Sequence, residues 1–234
     1  MAKKDDKSIT DTGASGLDSF LAKVAQTPLR ATSGGGRLMF AMDATASREP
    51  SWDQASKIQG DMFQQTNALG NLQVQLVYYR GYNEFQSSAW CSSGAQLLTS
   101  MAGVSCQAGS TQIVKVLRHA IMETKKTPIH ALVFIGDCME ENIEELAELA
   151  GQLGLLGVPV FIFHEGGDRL AHLAFQHIAK LTRGACCPFD SSSPGLLRDL
   201  LTAVAVYAVG GRKALQDFSR NKSQTVQRLT HQLE

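Results

Sequence analysis

The apolar and polar positions of the chain fall into two alternating patterns. Short segments rich in apolar residues, typical of strands, occupy residues 37–43, 72–79, 129–135, 158–163 and 185–189. The continuous apolar runs at 38–42 and 129–135 are typical of strands buried on both faces, whereas 72–79 alternates in part. Between them the apolar residues recur every three or four positions, as on one face of an amphipathic helix. Helices are predicted over residues 50–68, 95–101, 111–121, 140–155, 168–181 and 194–209.

This alternation of strands and helices predicts an α/β fold. The expected architecture is a Rossmann-like, doubly wound and mainly parallel central sheet with helices on both faces. One strand differs from the others, because residues 84–89 follow the turn Gly81-Tyr82-Asn83 closely. Such spacing predicts a short antiparallel edge strand.

Composition shifts along the chain predict three parts. Residues 1–35 are expected to form a flexible tail, a short amphipathic helix and a Gly-rich linker. Residues 36–210 form the α/β domain, which Gly210-Gly211 ends. Residues 211–234 are expected to be a C-terminal helical extension.

The charge balance and the cysteines limit the classes of partner that the protein can bind and the cellular compartment in which it is expected. The 22 basic and 22 acidic residues cancel, so no global field directs the protein to nucleic acid or to anionic lipid. The longest apolar stretch, residues 200–209, is too short to cross a bilayer. A polar N-terminus and five cysteines without CxxC spacing favour a cytoplasmic protein with free thiols.

Side chains that carry oxygen follow two of the predicted strands. Asp43, Thr45 and Ser47 are spaced two apart directly after the first strand, and Asp137 directly follows the strand at 129–135. Ligands of open α/β sheets bind outside the carboxyl ends of the strands. Oxygen ligands at this density suit Mg²⁺, Mn²⁺ or Ca²⁺ and not a soft metal.

Three motifs resemble the metal-ion-dependent adhesion site of a von Willebrand factor type A (VWA) domain. The family motif D-x-S-x-S stands here as Asp43-Ala-Thr45-Ala-Ser47, with threonine in place of the first serine. A later threonine of the family matches Gly109-Ser-Thr111, and its aspartate after the fourth strand matches Gly136-Asp137-Cys138. The resemblance covers about residues 36–210 and is to the stand-alone bacterial type.

This resemblance implies a protein-interaction module built around a bound metal. Thr45, Ser47 and Thr111 would supply hydroxyl ligands. Asp43 and Asp137 would act directly or through water. Mg²⁺, or Mn²⁺ or Ca²⁺ in its place, would keep one position open for an aspartate or glutamate of a partner protein. By analogy that partner is an AAA+ ATPase or a chaperone-type system.

The same residues also fit roles without an adhesion metal. Each motif alone fits a turn or a helix N-cap, where Asp and Thr are common. A Mg-dependent phosphohydrolase of haloacid-dehalogenase type also carries an acidic motif after its first strand, but it needs an aspartate where this chain has Thr45. A VWA-fold scaffold without metal is a further alternative. Because no nucleophile elbow, P-loop or dinucleotide motif occurs, we expect a binding protein and not an enzyme.

Three further groups are expected to be structural. His164 is predicted to be a solvated histidine at a strand end. The acidic residues at 140–145 are predicted to be the solvated start of a helix. An exposed helix face is predicted for Arg212, Lys213, Arg220, Lys222 and Arg228, with a docking arm for an acidic partner as the alternative.

Overall fold

The computed structural model describes five stretches of the chain, residues 19–24, 26–27, 35–66, 70–189 and 194–230. Within them, the backbone alone is described for residues 58–61, 189, 194 and 220–230. The predicted tail and most of the predicted Gly-rich linker therefore lie outside the described residues. In these five stretches, none of the helices has the length and apolar character needed to cross a bilayer.

A six-stranded sheet forms the centre of the protein. Its strands are β1 (Gly36–Asp43), β2 (Leu72–Arg80), β3 (Glu84–Cys91), β4 (Ala131–Gly136), β5 (Val160–Glu165) and β6 (Ala185–Phe189). Their spatial order is β3-β2-β1-β4-β5-β6, and every neighbouring pair is parallel except β2 and β3. The mainly parallel sheet with one antiparallel edge strand is thus confirmed.

Helices cover both faces of this sheet. They are residues 19–24 (α1), Glu49–Thr66 (α2), Gly94–Ala102 (α3), Ile113–Lys126 (α4), Ile143–Leu155 (α5), Arg169–Leu181 (α6) and Pro194–Thr230 (α7). Side chains of α1, α2, α3 and α7 pack on one face, and those of α4, α5 and α6 on the other. This arrangement confirms the predicted doubly wound architecture.

The central strand β1 is buried on both faces, as its apolar sequence predicts. Leu38, Phe40 and Met42 join the core beneath α7, whereas Met39 and Ala41 join the core beneath α4. None of these five side chains is more than 1% exposed. The last residue of the strand, Asp43, therefore lies at a position with almost no contact with water.

Two helices begin later than the sequence predicts. α5 begins at Ile143 because Asn142 caps it, its Oδ1 accepting hydrogen bonds from the amides of Glu144 (2.7 Å) and Glu145 (3.2 Å). α4 begins at Ile113 and not at Thr111. Residues 111 and 140–141, which were predicted to be helical, lie instead in two loops that contact each other.

The last helix passes beyond the predicted end of the domain. α7 continues to Thr230 across a break at Gly211, whose φ of 66° and ψ of −161° are not helical. Beside the break, Arg212 Nη2 donates hydrogen bonds to the carbonyls of Gln26 (2.8 Å) and Thr27 (2.9 Å). Arg212 is therefore half-buried against the segment after α1, and its placement on an exposed face was wrong. Lys213 is exposed, as predicted, and the side chains of Arg220, Lys222 and Arg228 lie outside those that the structure describes. The division of the chain at residue 210 stays a prediction.

We expect Phe161→Ala to destabilise the protein by about 3–5 kcal/mol, because the ring is fully buried in β5. It packs edge-on against Tyr207 of α7, with ring centroids 5.6 Å apart, and against Phe20 of α1 at 6.2 Å. Urea unfolding measures the loss. Leu155→Ala is the control, because Leu155 is 92% exposed and its truncation should matter by less than about 0.5 kcal/mol. Equal losses in the two variants would contradict this description of the core.

Candidate metal centre

The predicted site lies where the strand order of the sheet reverses. β1 has β2 on one side and β4 on the other, and the helices that follow β1 and β4 cover opposite faces. Asp43 is the last residue of β1, and Asp137 directly follows β4. Open α/β sheets bind ligands in the crevice that forms at such a reversal.

Four of the five predicted ligands come together in a chain of hydrogen bonds. Asp43 Oδ1 accepts a hydrogen bond from the amide of Thr45 at 2.7 Å. Thr45 Oγ1 lies 3.3 Å from Ser47 Oγ, which donates to Asp137 Oδ2 at 3.0 Å. A short 3-10 helix, Ala46–Arg48, makes the tight turn that brings these oxygens to one side.

The second carboxylate oxygen of Asp43 has no partner. Asp43 is 1% exposed, and its Oδ2 is buried without a hydrogen bond. Burial raises the pKa of Asp43 to about 6, against the hydrogen bonds from Thr45 that lower it, and the nearby charge of Asp137 raises it further. The buried hydroxyl of Tyr79 lies beside this carboxylate, and its interaction with Asp43 also lowers the pKa of Asp43. A buried, unpartnered carboxylate oxygen is costly unless a hydrogen-bond donor, a proton or a cation satisfies it.

The residues at this point fit a hard divalent cation. In the part of the chain that the structure describes, no three His, Cys, Asp or Glu side chains are placed to share an ion. A cation here would therefore depend on the hydroxyls of Thr45 and Ser47 as well as on the carboxylates of Asp43 and Asp137. Oxygen ligands of both kinds suit Mg²⁺, Mn²⁺ and Ca²⁺.

The fifth predicted ligand, Thr111, is engaged elsewhere. Its hydroxyl donates to the carboxylate of Glu141 and accepts a hydrogen bond from the amide of Glu140 at 3.0 Å. Glu141 also accepts hydrogen bonds from the first amides of α4, those of Ile113 and Val114. Glu140 and Glu141 thus precede α5 and do not form the solvated helix start that was predicted, whereas the other two acidic residues of the group do form its first turn. The role of Thr111 as a ligand stays a prediction.

Sequence reasoning missed Arg48, the residue that follows the D-x-T-x-S motif. Arg48 is 7% exposed, and its Nη2 lies 3.2 Å from Asp137 Oδ2 and 3.1 Å from the carbonyl oxygen of Ser47. Its Nη1 pairs with Glu165 at the end of β5, which also accepts a hydrogen bond from Ser51. The only signal in the sequence was a basic residue directly beside the motif.

His164 is buried, and the prediction of a solvated histidine was wrong. The residue is 2% exposed, and its Nε2 lies 3.3 Å from the carbonyl oxygen of Asp137. Its Nδ1 lies 3.2 Å from Nδ1 of His172 on α6. Burial lowers the pKa of His164, with the hydrogen bond to Asp137 opposing this effect and His172 adding to it. The histidine thus supports the loop that carries Asp137.

Comparison with known proteins places this architecture among VWA domains. No family model and no curated protein matches the sequence. The chain is similar in structure to the SpRpn10 VWA domain, with 19% identity over 71% of this chain and 94% of that one and a TM-score of 0.57. At such an identity the likeness shows the fold alone. The chain has the VWA fold, as the sequence predicts.

Two further solved structures support the same fold. An aerotolerance-related membrane protein from Bacteroides fragilis is 18% identical, with 71% of this chain and 98% of that one covered and a TM-score of 0.52. A von Willebrand factor type A protein from Catenulispora acidiphila is 14% identical, with 75% and 43% covered and a TM-score of 0.57. The shared feature is the fold, since so few side chains are identical.

The raised pKa of Asp43 predicts how the stability of the metal-free protein depends on pH. An unfolded aspartate has a pKa of about 3.9, so the folded protein binds a proton at Asp43 more tightly than the unfolded chain does. The contribution of this group to stability is therefore largest below about pH 4. It is lost as the pH rises through about 6, and the loss is on the order of 2–3 kcal/mol.

Asp43→Asn should remove this loss. In a chelator at pH 7.5 we expect the variant to be more stable than the wild type by up to about 2 kcal/mol, and the gain to vanish near pH 4. Asp168→Asn is the control. The hydrogen bond from the amide of Ala171 lowers the pKa of Asp168, so this variant should be less stable than the wild type at pH 7.5. Urea unfolding at both pH values measures the differences. A gain that is equal at the two values would contradict the raised pKa.

Proposed function

We propose that the protein is a divalent-metal-binding interaction module that recognises an acidic side chain of a partner protein. The observation that carries this proposal is the buried, unpartnered Oδ2 of Asp43. The other oxygen of the same carboxylate, Oδ1, begins the chain of hydrogen bonds through Thr45 and Ser47 to Asp137. A cation would give this oxygen the positive partner that it lacks.

Each residue has a distinct part in this proposal. Asp43 and Asp137 supply negative charge, and Thr45 and Ser47 supply neutral oxygens. Thr111 would join them only after its hydroxyl leaves Glu141. Bound Mg²⁺, or Mn²⁺ or Ca²⁺, supplies a positive centre that accepts one more carboxylate. Ser47 keeps Asp137 oriented toward that centre through its hydrogen bond.

The partner proposed is a protein that presents an aspartate or glutamate, of AAA+ ATPase or chaperone type, in the cytoplasm. Support for this partner is an analogy at the level of the fold. Neither nucleic acid nor a membrane has a part in the proposal, because the 22 basic and 22 acidic residues leave no net charge to attract them.

A VWA-fold scaffold without metal is the second candidate, and Arg48 is the observation that favours it. Its guanidinium already pairs with Asp137 and Glu165. A positive charge is therefore present at the site without any bound ion. In that case the fold would present its surface to a partner without a metal bridge.

Thermal unfolding after chelation, with Mg²⁺, Mn²⁺ and Ca²⁺ added back, tests the metal site. An ion at about one hundred times its Kd should stabilise the fold by about 2.7 kcal/mol, which raises the Tm by roughly 5–10 °C. Asp43→Ala should abolish this rise. Asp53→Ala, an exposed aspartate on α2, should keep it.

The outcomes of that experiment separate the two candidates. The metal-free scaffold would be favoured if added metal also raises the Tm of Asp43→Ala, or if none of the three ions raises the Tm of the wild type. Partner recognition is tested with the same proteins. A partner captured by the wild type with Mg²⁺ should be released by EDTA and should not be captured by Asp43→Ala.

We propose that the site binds and does not catalyse. A hydrolase of haloacid-dehalogenase type needs a second titratable carboxylate two residues after Asp43, and Thr45 stands there. With Mg²⁺ and a panel of phosphate esters we therefore expect no turnover above the buffer rate. Turnover in the wild type that Asp43→Asn abolishes would overturn this proposal.

A further inference from the structure

Arg48 is a buried positive charge inside the proposed metal site. Its guanidinium spans two carboxylates from different strands, with Nη2 3.2 Å from Asp137 Oδ2 and Nη1 paired with Glu165. Both partners are largely shielded from water, since the side chain of Asp137 is 22% exposed and that of Glu165 10%. An ion pair so placed is screened much less than one on the surface.

The planar shape of the guanidinium explains how one residue serves both carboxylates. Arginine presents several N–H donors in a fixed fork, so it can bind two acceptors at once. The Glu165 oxygen that pairs with Arg48, Oε2, also accepts a hydrogen bond from the hydroxyl of Ser51. Asp137 is held only by Ser47 and Arg48 among the side-chain contacts described for its carboxylate. Each carboxylate thus has one hydroxyl partner besides Arg48, but the side chain of Asp137 is 22% exposed and that of Glu165 only 10%. Water can replace the guanidinium more easily at Asp137, so Asp137 is the partner that Arg48 can more readily release.

The charges at the site leave room for one divalent cation. Asp43, Asp137 and Glu165 are three carboxylates, and Arg48 is the cation that pairs with two of them. Asp43 has no cationic partner in this arrangement, and its Oδ2 has no hydrogen bond. A divalent ion would meet the remaining negative charge only if it shared Asp137 with Arg48 or displaced Arg48 from it.

We propose that Arg48 is an internal competitor of the metal, which holds Asp137 in the metal-free protein and gives it up to the bound cation while it keeps Glu165. The inference rests on the proposed function and names how the site is regulated. Arg48 lowers the affinity for the cation, so that the site fills only when the ion or the partner's carboxylate is abundant. It also links the loop after β1 to the end of β5.

Two variants distinguish competition between Arg48 and the metal from a general loss of stability. Glu165→Gln removes one of the two carboxylates that pair with Arg48. The guanidinium then pairs with Asp137 alone, so Mg²⁺ should bind several-fold more weakly. The double variant Arg48→Gln/Glu165→Gln frees Asp137 without changing the net charge of the site. It also avoids leaving Glu165 buried and unpaired, which would be destabilising. Mg²⁺ should bind to it on the order of tenfold more tightly.

Calorimetric titration of the chelated proteins with Mg²⁺ makes the measurement, and circular dichroism checks that each variant is folded. The matched control is Arg118→Gln/Glu145→Gln, the same exchange at an ion pair whose side chains are 59% and 41% exposed. This control should bind like the wild type. Arg48→Lys is the reserve variant if the double variant does not fold, because lysine keeps the charge but lacks the fork. It should bind Mg²⁺ more tightly than the wild type.

The possible results are distinguishable. If the wild type binds Mg²⁺ through Asp43 and the double variant binds no more tightly, the role of Arg48 is overturned and the metal site stands. If the wild type binds no Mg²⁺ and the double variant does, Arg48 is the competitor, and its ion pair with Asp137 outweighs the binding of the cation. If neither binds, the metal site and this inference both fail.

Discussion

The burial of a single carboxylate, that of Asp43, is the constraint on which the rest of the site depends. β1 is apolar on both faces, so its last residue emerges where water cannot solvate a charge, and the pKa of Asp43 rises to about 6. One carboxylate oxygen is satisfied by the amide of Thr45, and the other is not. The tight turn at Ala46–Arg48 and the hydroxyls of Thr45 and Ser47 connect this carboxylate to that of Asp137.

The surrounding structure balances negative charge in two physically different ways. On the β5 side, the guanidinium of Arg48 joins Asp137 to Glu165. On the α4 side, the carboxylate of Glu141 accepts hydrogen bonds from Ile113 and Val114, the first amides of the helix, where the helix dipole favours a negative charge. Thr111 lies within the second arrangement and not the first. Asp43, Thr45, Ser47 and Asp137 are thus linked by hydrogen bonds, and on both sides of them the charged groups are paired within the protein.

A fold that is shared at 14–19% identity with other VWA structures depends on very few particular side chains. The pattern of apolar positions was enough to predict the strands and the doubly wound sheet, because residues 38–42 can be buried on both faces only in the middle of such a sheet. The antiparallel edge was predicted from the short turn at residues 81–83. Helix starts were less predictable. Asn142 and Glu141 move the beginnings of α5 and α4 through side-chain contacts that no periodicity contains.

By itself, the sequence determined the fold and the placement of Asp43, Thr45, Ser47 and Asp137 at one end of the sheet. Residue spacing and strand ends are local properties, and parallel strands bring their carboxyl ends together. Only the tertiary structure decided which charges meet there. Arg48 and Glu165 are 117 residues apart, and Thr111 and Glu141 are 30 apart. His164 is buried because α6 and the loop at Asp137 close over it. Contacts between such distant residues depend on how helices pack on the sheet, and the chain carries no local signal of that packing.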